Sequence, residues 1–415
     1  MVQKFEIPWS AWYGNEKLEL KFPDSWEVSL YKMNGVSPIK DIQTIEDALD
    51  TPIGTPPIHD IAKSKRDAVI VIDDISRPTR AEKILEVLIP KLNSAGISNE
   101  KITIIFAIGA HRPLNRIDIV KKVGQKFADS LNIENHHPYE NLVYLGKSSH
   151  GTPIYLNRTY YEAGVKIAIG AVLPHPLAGF GGGAKIILPG ISGIKTLEAN
   201  HQAGVRGIGI GLGFITELRK DIEEVCEKVG LDFSINVIPT INREIAGIFA
   251  GHFIEAHRRA VEFAKKIYYT KVPSNLKLDI GFFNLYPEDT ELSQSSKGFN
   301  IFLSTKKLIH RKGAVIFLTS ATEGRGFHSL LGETGCKLYY ELKNTWEMVI
   351  KNVLAKNVFG IFSPNVNEID VRHFYPDNTI LFRDFNSMIK KLEEIYGDSP
   401  KSCIFPSSMQ ILSNK

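Results

Sequence analysis

The stretch DAVIVIDDISRPTR, residues 67–80, decides the fold class. It begins as a continuous apolar run of strand length, and the amphipathic stretch 80–96 follows it. The pattern repeats in KITIIFAIG (101–109) before the amphipathic stretch 116–131, and VKIAIGAVL (165–173) is a third apolar run. Such runs are typical of buried parallel strands, and the stretches between them are typical of crossover helices. The sequence therefore predicts a doubly wound α/β fold.

The same alternation begins again near residue 270. Further strands are predicted at 277–286, 313–321, 357–363 and 378–384. Helices are predicted between them, near 300–311, 335–355 and 386–396. Because 415 residues exceed what one core organises, we expect two doubly wound α/β domains, residues 1–270 and 271–415. Residues 1–30 alternate apolar and polar side chains, which predicts a hairpin at an edge of the first domain.

Composition excludes several classes of function. The net charge is +4, and no Lys/Arg block has the density of a nucleic-acid-binding arm. The three cysteines are widely spaced and match neither a disulfide framework nor a zinc motif. No apolar stretch approaches the roughly 18 residues of a membrane span, and the N-terminus lacks a signal peptide. We expect a soluble cytoplasmic protein that binds a small molecule, and neither nucleic acid nor a membrane.

Unusual polar residues follow the predicted strands. They lie in DDISRPTR (73–80), GAHRP (109–113), PHP (174–176) and TELSQSSKG (290–298). In open α/β sheets, ligands bind outside the carboxyl ends of the strands. The sequence therefore predicts one active site, in a cleft between the two domains.

The first of these segments is a candidate anion site. Asp74, Ser76 and Arg77 lie at a strand-to-helix turn, where exposed N–H groups favour an anion and Arg77 can grip a carboxylate or phosphate. The alternative is a capped helix whose arginine pairs with Asp73 or Asp74.

His111 and His175 are candidate acid/base groups, since each follows a predicted strand and imidazole titrates near neutrality. Alternatively, His111 could bond a neighbouring carbonyl group, and the Pro-flanked turn of His175 could have no function.

The Gly-rich segment GFGGGAK, residues 179–185, ends in Lys185. A phosphate-binding loop needs Gly before this lysine and Ser or Thr after it, whereas Ala184 and Ile186 stand there. Lys185 is therefore predicted to be a covalent or ion-pairing amine, with a purely structural loop as the alternative. His201, at the end of a predicted helix, is either a charge that complements the helix dipole or a metal ligand whose partners this segment does not supply.

In the second domain, Gln294 and Lys297 follow a predicted strand. They can orient a hydroxyl or carboxylate oxygen of a ligand, and ordinary loop polarity is the alternative.

The ordered set DDISRPT, GAHR, PHP–GFGGGAK–PG and EANH resembles the nickel-pincer lactate racemase family, from about residue 20 to the C-terminus. The resemblance implies an isomerase that racemises or epimerises a lactate-like 2-hydroxy acid. It also implies a nickel pincer nucleotide, a pyridinium-3,5-bisthiocarboxylic acid mononucleotide with nickel, attached covalently at Lys185 and ligated through the metal by His201. The enzymes that make this cofactor are implied partners.

The resemblance further implies how the residues share the work. His111 and His175 would be the acid/base pair while a hydride passes reversibly from the substrate Cα to the cofactor. Asp74, Ser76 and Arg77 would bind the cofactor, and substrate contacts would come from Arg77, Gln294 and Lys297. The N-terminal domain would be catalytic, and the C-terminal one would close over the substrate. Ser76, Arg80 and Gly181 depart from the family's frequent Thr, Pro and Ser, and none of these departures removes a catalytic group.

Two other functions stay open from the residues alone. One is a zinc-dependent hydrolase or lyase in which His111, His175 and His201 bind the metal directly. The other is a non-enzymatic protein that binds an anionic metabolite through Arg77, Lys185 and Lys297.

Overall fold

The structure is a computed structural model that describes residues 2–14, 16–206, 216–273, 276–298, 301–302, 308–330 and 357–413. Of residues 203–206, 296 and 413 it describes the backbone alone. The helix predicted over 335–355 and most of the one predicted near 300–311 lie outside the described residues.

The strands, in chain order, are β1 (Val2–Pro8), β2 (Lys17–Pro23), β3 (Glu27–Leu30), β4 (Ala68–Asp73), β5 (Ile102–Ala107), β6 (Asn132–Asn135), β7 (Leu142–Lys147), β8 (Pro153–Asn157), β9 (Val165–Ala171), β10 (Pro174–His175), β11 (Gly179–Phe180), β12 (Phe233–Pro239), β13 (Ile245–Gly251), β14 (Tyr269–Lys271), β15 (Leu278–Asn284), β16 (Ile309–Leu318), β17 (Val358–Phe362), β18 (Ile380–Phe382), β19 (Lys401–Phe405) and β20 (Ile411–Ser413). The α-helices are α1 (Gln43–Asp50), α2 (Ile58–Ala62), α3 (Glu82–Ser94), α4 (Arg116–Ser130), α5 (Arg158–Glu162), α6 (Ile194–Arg206), α7 (Glu217–Val229), α8 (Glu255–Tyr268), α9 (Glu368–Phe374) and α10 (Phe385–Tyr396).

The chain divides into two compact units. The central unit is Val36–Lys266, and the terminal unit combines Met1–Gly35 with Ile267–Lys415. The central unit contains a six-stranded sheet of order β13-β12-β9-β4-β5-β6, parallel except for β13. Strand β4 is buried along its whole length between β9 and β5, which explains its continuous apolar sequence. The α/β prediction is confirmed.

The strand order of this sheet reverses beside β4. From β4 the chain passes to β5 and β6 on one side, and it later returns to the other side of β4 as β9. In such sheets a crevice forms at the carboxyl ends of the strands where the order reverses. Asp74, His111 and His175 follow β4, β5 and β9, so these residues all come from one edge of one sheet.

The terminal unit contains the second sheet, of order β18-β17-β16-β15-β19-β3 with all strands parallel. Aromatic side chains fill both of its faces. Phe282 and Phe283 are neighbours in β15 and belong to the cores on opposite faces, as the alternation of side chains along a strand requires.

The N-terminal residues belong to the terminal unit, whereas the sequence led us to expect one domain of residues 1–270. Strands β1 and β2 form the predicted hairpin, but β3 pairs in parallel with β19 at the edge of the second sheet. Phe22, in β2, packs against Phe282 with ring centroids 5.4 Å apart. The apolar side chains of the hairpin therefore gain their burial from a core that the end of the chain builds.

None of the helices described in the structure combines the length and the apolar character that crossing a membrane requires.

Candidate active site

The carboxylate of Asp74 lies directly after β4 and holds His111. The Nδ1–H group of His111 donates to Oδ2 of Asp74, and Ser76 donates to Oδ1 through its Oγ at 2.6 Å and its backbone nitrogen at 3.2 Å. Arg77 in turn donates from Nη1 to the Ser76 oxygen at 3.0 Å. The sequence placed Asp74, Ser76 and Arg77 in one anion site, and the structure brings them together with His111.

The charge state of Asp74 follows from these contacts. Burial raises the pKa of the Asp74 carboxyl, but the charges of His111 and Arg77 and the hydrogen bonds from His111 and Ser76 outweigh burial and hold that pKa well below its usual range. Asp74 is therefore a carboxylate at neutral pH. It keeps the proton of a neutral His111 ring on Nδ1, so Nε2 is the ring nitrogen that can accept a proton.

At His175 the hydrogen bonds to Nδ1 run in the opposite direction from those at His111. It lies in a short hairpin in which His175 pairs with Gly179, directly beyond the end of β9. The backbone N–H groups of Leu177 and Ala178 donate to its Nδ1 at 3.2 and 3.1 Å. Since Nδ1 accepts these bonds, a neutral His175 carries its proton on Nε2.

Lys185 lies in a single 3-10 turn, Gly183–Ile186, at the end of the Gly-rich segment. Gly182 and Gly183 have φ angles of +75° and +56°, which favour glycine. A Cβ atom on Gly182 would lie 2.7 Å from Cγ2 of Val172, so the backbone also approaches its neighbours too closely for a side chain. The segment is folded into a specific conformation before Lys185.

Two buried side chains that do not stand out in the sequence, Arg219 and His257, donate hydrogen bonds to the carbonyl groups of this segment. Arg219 donates to the carbonyl oxygens of Ala178 at 3.2 Å and Gly182 at 3.3 Å, and also to that of Phe180. His257 donates from Nε2 to the Gly181 carbonyl at 2.8 Å.

The signal for Arg219 is its position on a helix. In α7, Arg219 falls on the apolar stripe with Ile222 and Cys226 at the spacing i, i+3, i+7, so it faces the interior although it is charged. Burial, opposed by the charge of Glu223, lowers the pKa of Arg219 to about 10, which leaves the guanidinium charged at neutral pH.

His201 lies within α6 and not at its end, so the helix-dipole explanation does not apply to it. Its Nδ1–H group donates to the carbonyl of Leu197 at 2.8 Å, one turn earlier. Burial lowers the pKa of His201 to about 4, and the charges of Lys185 and His111 add to this effect. His201 is therefore a neutral imidazole at pH 7, with its proton on Nδ1 and its lone pair on Nε2. This is the state that a metal ligand requires.

Gln294 and Lys297 lie in the terminal unit, in the 3-10 helix Leu292–Lys297 that follows β15. Both side chains are buried. Gln294 donates from Nε2 to Glu291 at 3.1 Å, and Lys297 forms an ion pair with Glu288. The sequence did not anticipate these acidic partners.

The three histidines of the zinc alternative do not form a metal site of their own. Among the described residues, only His150, Asp221 and Glu224 form a group of three or more possible ligands whose atoms lie within 4.8 Å of one another. The carboxylates of this group already accept bonds from Ser148, Ser149 and Lys228. A preformed three-imidazole centre is therefore disfavoured.

The chain is similar to a known protein family over much of its length. The family described as the lactate racemase N-terminal domain matches residues 13–209. A lactate racemase from Lactiplantibacillus plantarum is 30% identical over 302 residues, which is 70% of this chain and 70% of that protein. A lactate racemase from Thermoanaerobacterium thermosaccharolyticum is 27% identical over 84% of this chain and 81% of its own length.

Solved structures show the same fold. The lactate racemase apoprotein from Thermoanaerobacterium thermosaccharolyticum superposes with a TM-score of 0.77 at 23% identity, covering 99% of this chain and 100% of its own. A crystal structure of a Thermotoga maritima protein gives a TM-score of 0.64 at 20% identity, with 91% and 99% covered. Together with the curated relatives, these matches establish that the chain belongs to the lactate racemase family.

Proposed function

We propose that this protein is a racemase or epimerase of a 2-hydroxy acid, with lactate as the first substrate to test. The observation that carries the proposal is the pair of histidines from the strands on either side of β4. Nδ1 of His111 donates to Asp74, whereas Nδ1 of His175 accepts from the backbone. A racemase needs two acid/base groups because each enantiomer presents its hydroxyl to a different side.

The residues present fit a nickel pincer nucleotide. Lys185 offers an amine at the end of a folded Gly-rich segment, and His201 offers a neutral imidazole whose Nε2 can ligate a metal. We propose that Lys185 holds the nucleotide covalently and His201 ligates nickel, with Asp74, Ser76 and Arg77 as further contacts. When bound, the nucleotide would supply an acceptor for the hydride that leaves the substrate Cα.

The protein's own part is the movement of the hydroxyl proton. Nε2 of His111 accepts this proton, and the carboxylate of Asp74 stabilises the imidazolium that results. A protonated His175 returns a proton from Nε2 to the oxygen of the keto acid on the opposite face, so one ring takes up the hydroxyl proton and the other supplies the new one. Because protonated His175 carries hydrogen on both ring nitrogens, its Nδ1 has to release the N–H groups of Leu177 and Ala178. For the other enantiomer the two rings exchange roles.

Arg77 suits the negative charge of the reactants. Its guanidinium is anchored by the bond from Nη1 to Ser76, and a guanidinium carries further N–H donors for a carboxylate or phosphate. We propose that Arg77 also contacts the substrate. The substrate contacts of Gln294 and Lys297 stay predictions, and Glu288 is the group with which a substrate carboxylate would compete for Lys297.

The test is to produce the protein together with the enzymes that make the cofactor. We expect intact-mass analysis to find an adduct on Lys185 that Lys185→Ala abolishes. Lys195→Ala, at an exposed position further along the chain, is the matched control and should keep the adduct. Chiral chromatography on a panel of lactate and larger 2-hydroxy acids then identifies the substrate.

His111→Gln and His175→Gln should each retain the adduct and lower turnover by about 100-fold to 10,000-fold. A wild-type protein without an adduct, together with an active Lys185→Ala variant, would refute the proposal. If the protein only binds an anion, replacing either histidine leaves its affinity nearly unchanged and there is no turnover to lose.

A further inference from the structure

Lys122 is a fully buried lysine of α4 that lies beneath the segment carrying Asp74. Its ammonium group donates to Oδ1 of Asp73 at 2.6 Å, to the carbonyl oxygen of Asp74 at 2.9 Å and to that of Arg77 at 3.3 Å. Its own carbonyl oxygen accepts from the backbone nitrogen of Ala81 at 2.8 Å. One residue therefore binds segment 73–81 at four points.

A break in α4 makes the carbonyl group of Lys122 available for the hydrogen bond from Ala81. Two residues after Lys122, Gly124 leaves the helical conformation, with φ 80° and ψ 156° inside α4. An uninterrupted helix would engage the Lys122 carbonyl in its own hydrogen-bond ladder, whereas here Ala81 uses it.

Asp73, the side chain with which Lys122 pairs, connects the end of β4 to the end of β9. Besides the bond from Lys122, its Oδ2 accepts from Oγ1 of Thr79 at 2.6 Å and from the backbone nitrogen of Ala171 at 2.8 Å. Ala171 is the last residue of β9, and the chain reaches His175 four positions later. The Asp73–Lys122 pair thus binds the segment that orients His111 and also the strand that leads to His175.

We propose that Asp73 and Lys122 are positioning residues that fix the two catalytic histidines relative to each other, an inference that rests on the proposed function. Lys122 fixes the backbone of Asp74, and Asp74 holds the Nδ1 proton of His111. Asp73 fixes the end of β9 in the same network. Neither residue touches a reacting atom, so their effect passes through Asp74 and the two strand ends. A displacement of about 1 Å in such a framework can lower turnover by about 100-fold.

The test compares Lys122→Met, Asp73→Asn and the double variant with Lys126→Met, an exposed lysine one turn along α4. Removing one member leaves a buried charge unpaired, whereas the double variant removes both charges and should recover stability. The long-range ¹H–¹⁵N spectrum of the apoprotein, with His111 assigned from His111→Gln, reports which ring nitrogen carries the proton. Melting temperature and, in the cofactor-loaded enzyme, kcat are measured on the same variants.

We expect the wild type and Lys126→Met to hold His111 with its proton on Nδ1. Lys122→Met and the double variant should show a mixture of tautomers and about 100-fold lower kcat, even where the melting temperature of the double variant recovers. A purely structural role predicts instead that tautomer and kcat return to wild-type values with stability. That result, in any variant that folds, overturns the proposal.

If the variants at Lys122 and Asp73 do not fold, Thr79→Val replaces them in the same comparison, because it removes one hydrogen bond to Asp73 without leaving a charge unpaired. We expect kcat of Thr79→Val to be about 10-fold lower than that of the wild type. Because the tautomer of His111 is measured in the apoprotein, it tests the positioning role separately from turnover. If the variants change this tautomer but the wild type racemises no 2-hydroxy acid, the proposed function is contradicted and the positioning of His111 is not.

Discussion

The Nδ1 proton of His111 is directed at Oδ2 of Asp74, while the other carboxylate oxygen of Asp74 is held by Ser76. The two residues follow adjacent parallel strands, β4 and β5, which pair up to Asp73 and Ala107. The carboxylate therefore decides which nitrogen of a neutral His111 carries the proton.

Asp74→Asn should lower turnover by about 100-fold or more, because the amide no longer enforces the tautomer or stabilises the imidazolium. Chiral chromatography of product formation measures this. Asp60→Asn, at an exposed carboxylate, is the control and should leave turnover unchanged.

The same variant should change the acid sensitivity of the fold. The folded-state pKa of Asp74 lies below its ordinary value, so its stabilisation is present above the unfolded pKa of about 3.9 and is lost as pH falls toward the folded pKa. Urea unfolding should show a difference in the free energy of unfolding between wild type and Asp74→Asn that is constant from pH 7 to about 5 and becomes smaller below about pH 4. A difference that stays constant down to pH 2 would contradict the ion pair between Asp74 and His111.

The imidazole of His201 should titrate with a midpoint near 4 in the apoprotein, because burial and the charges of Lys185 and His111 oppose its protonation. The unfolded ring binds its proton below about 6.5, so the fold should lose stability through this residue as pH falls from 6.5 to 4. NMR titration, with the signal assigned from His201→Gln, checks the midpoint. A midpoint near 6.5 would show that the ring is not desolvated.

Gly182→Ala should destabilise the protein by roughly 2–4 kcal/mol, because the residue has a φ of +75° and its new Cβ meets Val172. Gly151→Ala is the matched control: its φ is +85°, but nothing lies within 4 Å of the added atom. It should lose only the backbone term of roughly 1–2 kcal/mol. If urea unfolding shows that Gly182→Ala and Gly151→Ala lose equal free energies of unfolding, the close approach between Gly182 and Val172 does not affect stability. The adduct on Lys185 should also form less completely in Gly182→Ala.

Arg219→Met should lower the free energy of unfolding by roughly 3 kcal/mol or more, because the carbonyl groups of Ala178, Phe180 and Gly182 lose their donor in a buried position. Arg259→Met, at an exposed arginine of α8, should stay within about 0.5 kcal/mol of wild type. Chemical denaturation of both variants provides the comparison. If Arg219→Met is as mild as its control, the carbonyl groups must find other donors.

Much of the fold could be predicted because local patterns decide it. The apolar runs at 67–74, 101–109 and 165–173 coincide with β4, β5 and β9, and the polar residues after them lie at the carboxyl ends of adjacent strands. The pairing of β3 with β19 could not be predicted, since parallel partners distant in sequence carry no local signal of each other.

The supporting residues of the site were hidden for a related reason. A lysine such as Lys122 in an amphipathic helix is typical of a solvated face, and only the tertiary structure shows that Asp73 and two carbonyl groups surround it. Arg219 and His257 are similar, because their partners are backbone carbonyls whose position no side-chain pattern encodes. The residues expected to do chemistry were visible in the motifs, as were Asp73 and Asp74, whereas the supporting residues Lys122, Arg219 and His257 were not.

The terminal unit is discontinuous in sequence, and this determines the order in which the two units can be completed during synthesis. Every residue of the central unit, including the Lys185 segment, has left the peptidyl-transferase centre once Lys266 is made. Strand β3, made much earlier, has to wait for β19 at residues 401–405 before its edge of the sheet can be paired. We therefore expect the nascent chain to complete the Gly-rich segment that carries Lys185 first, while its own N-terminus is still without its strand partner.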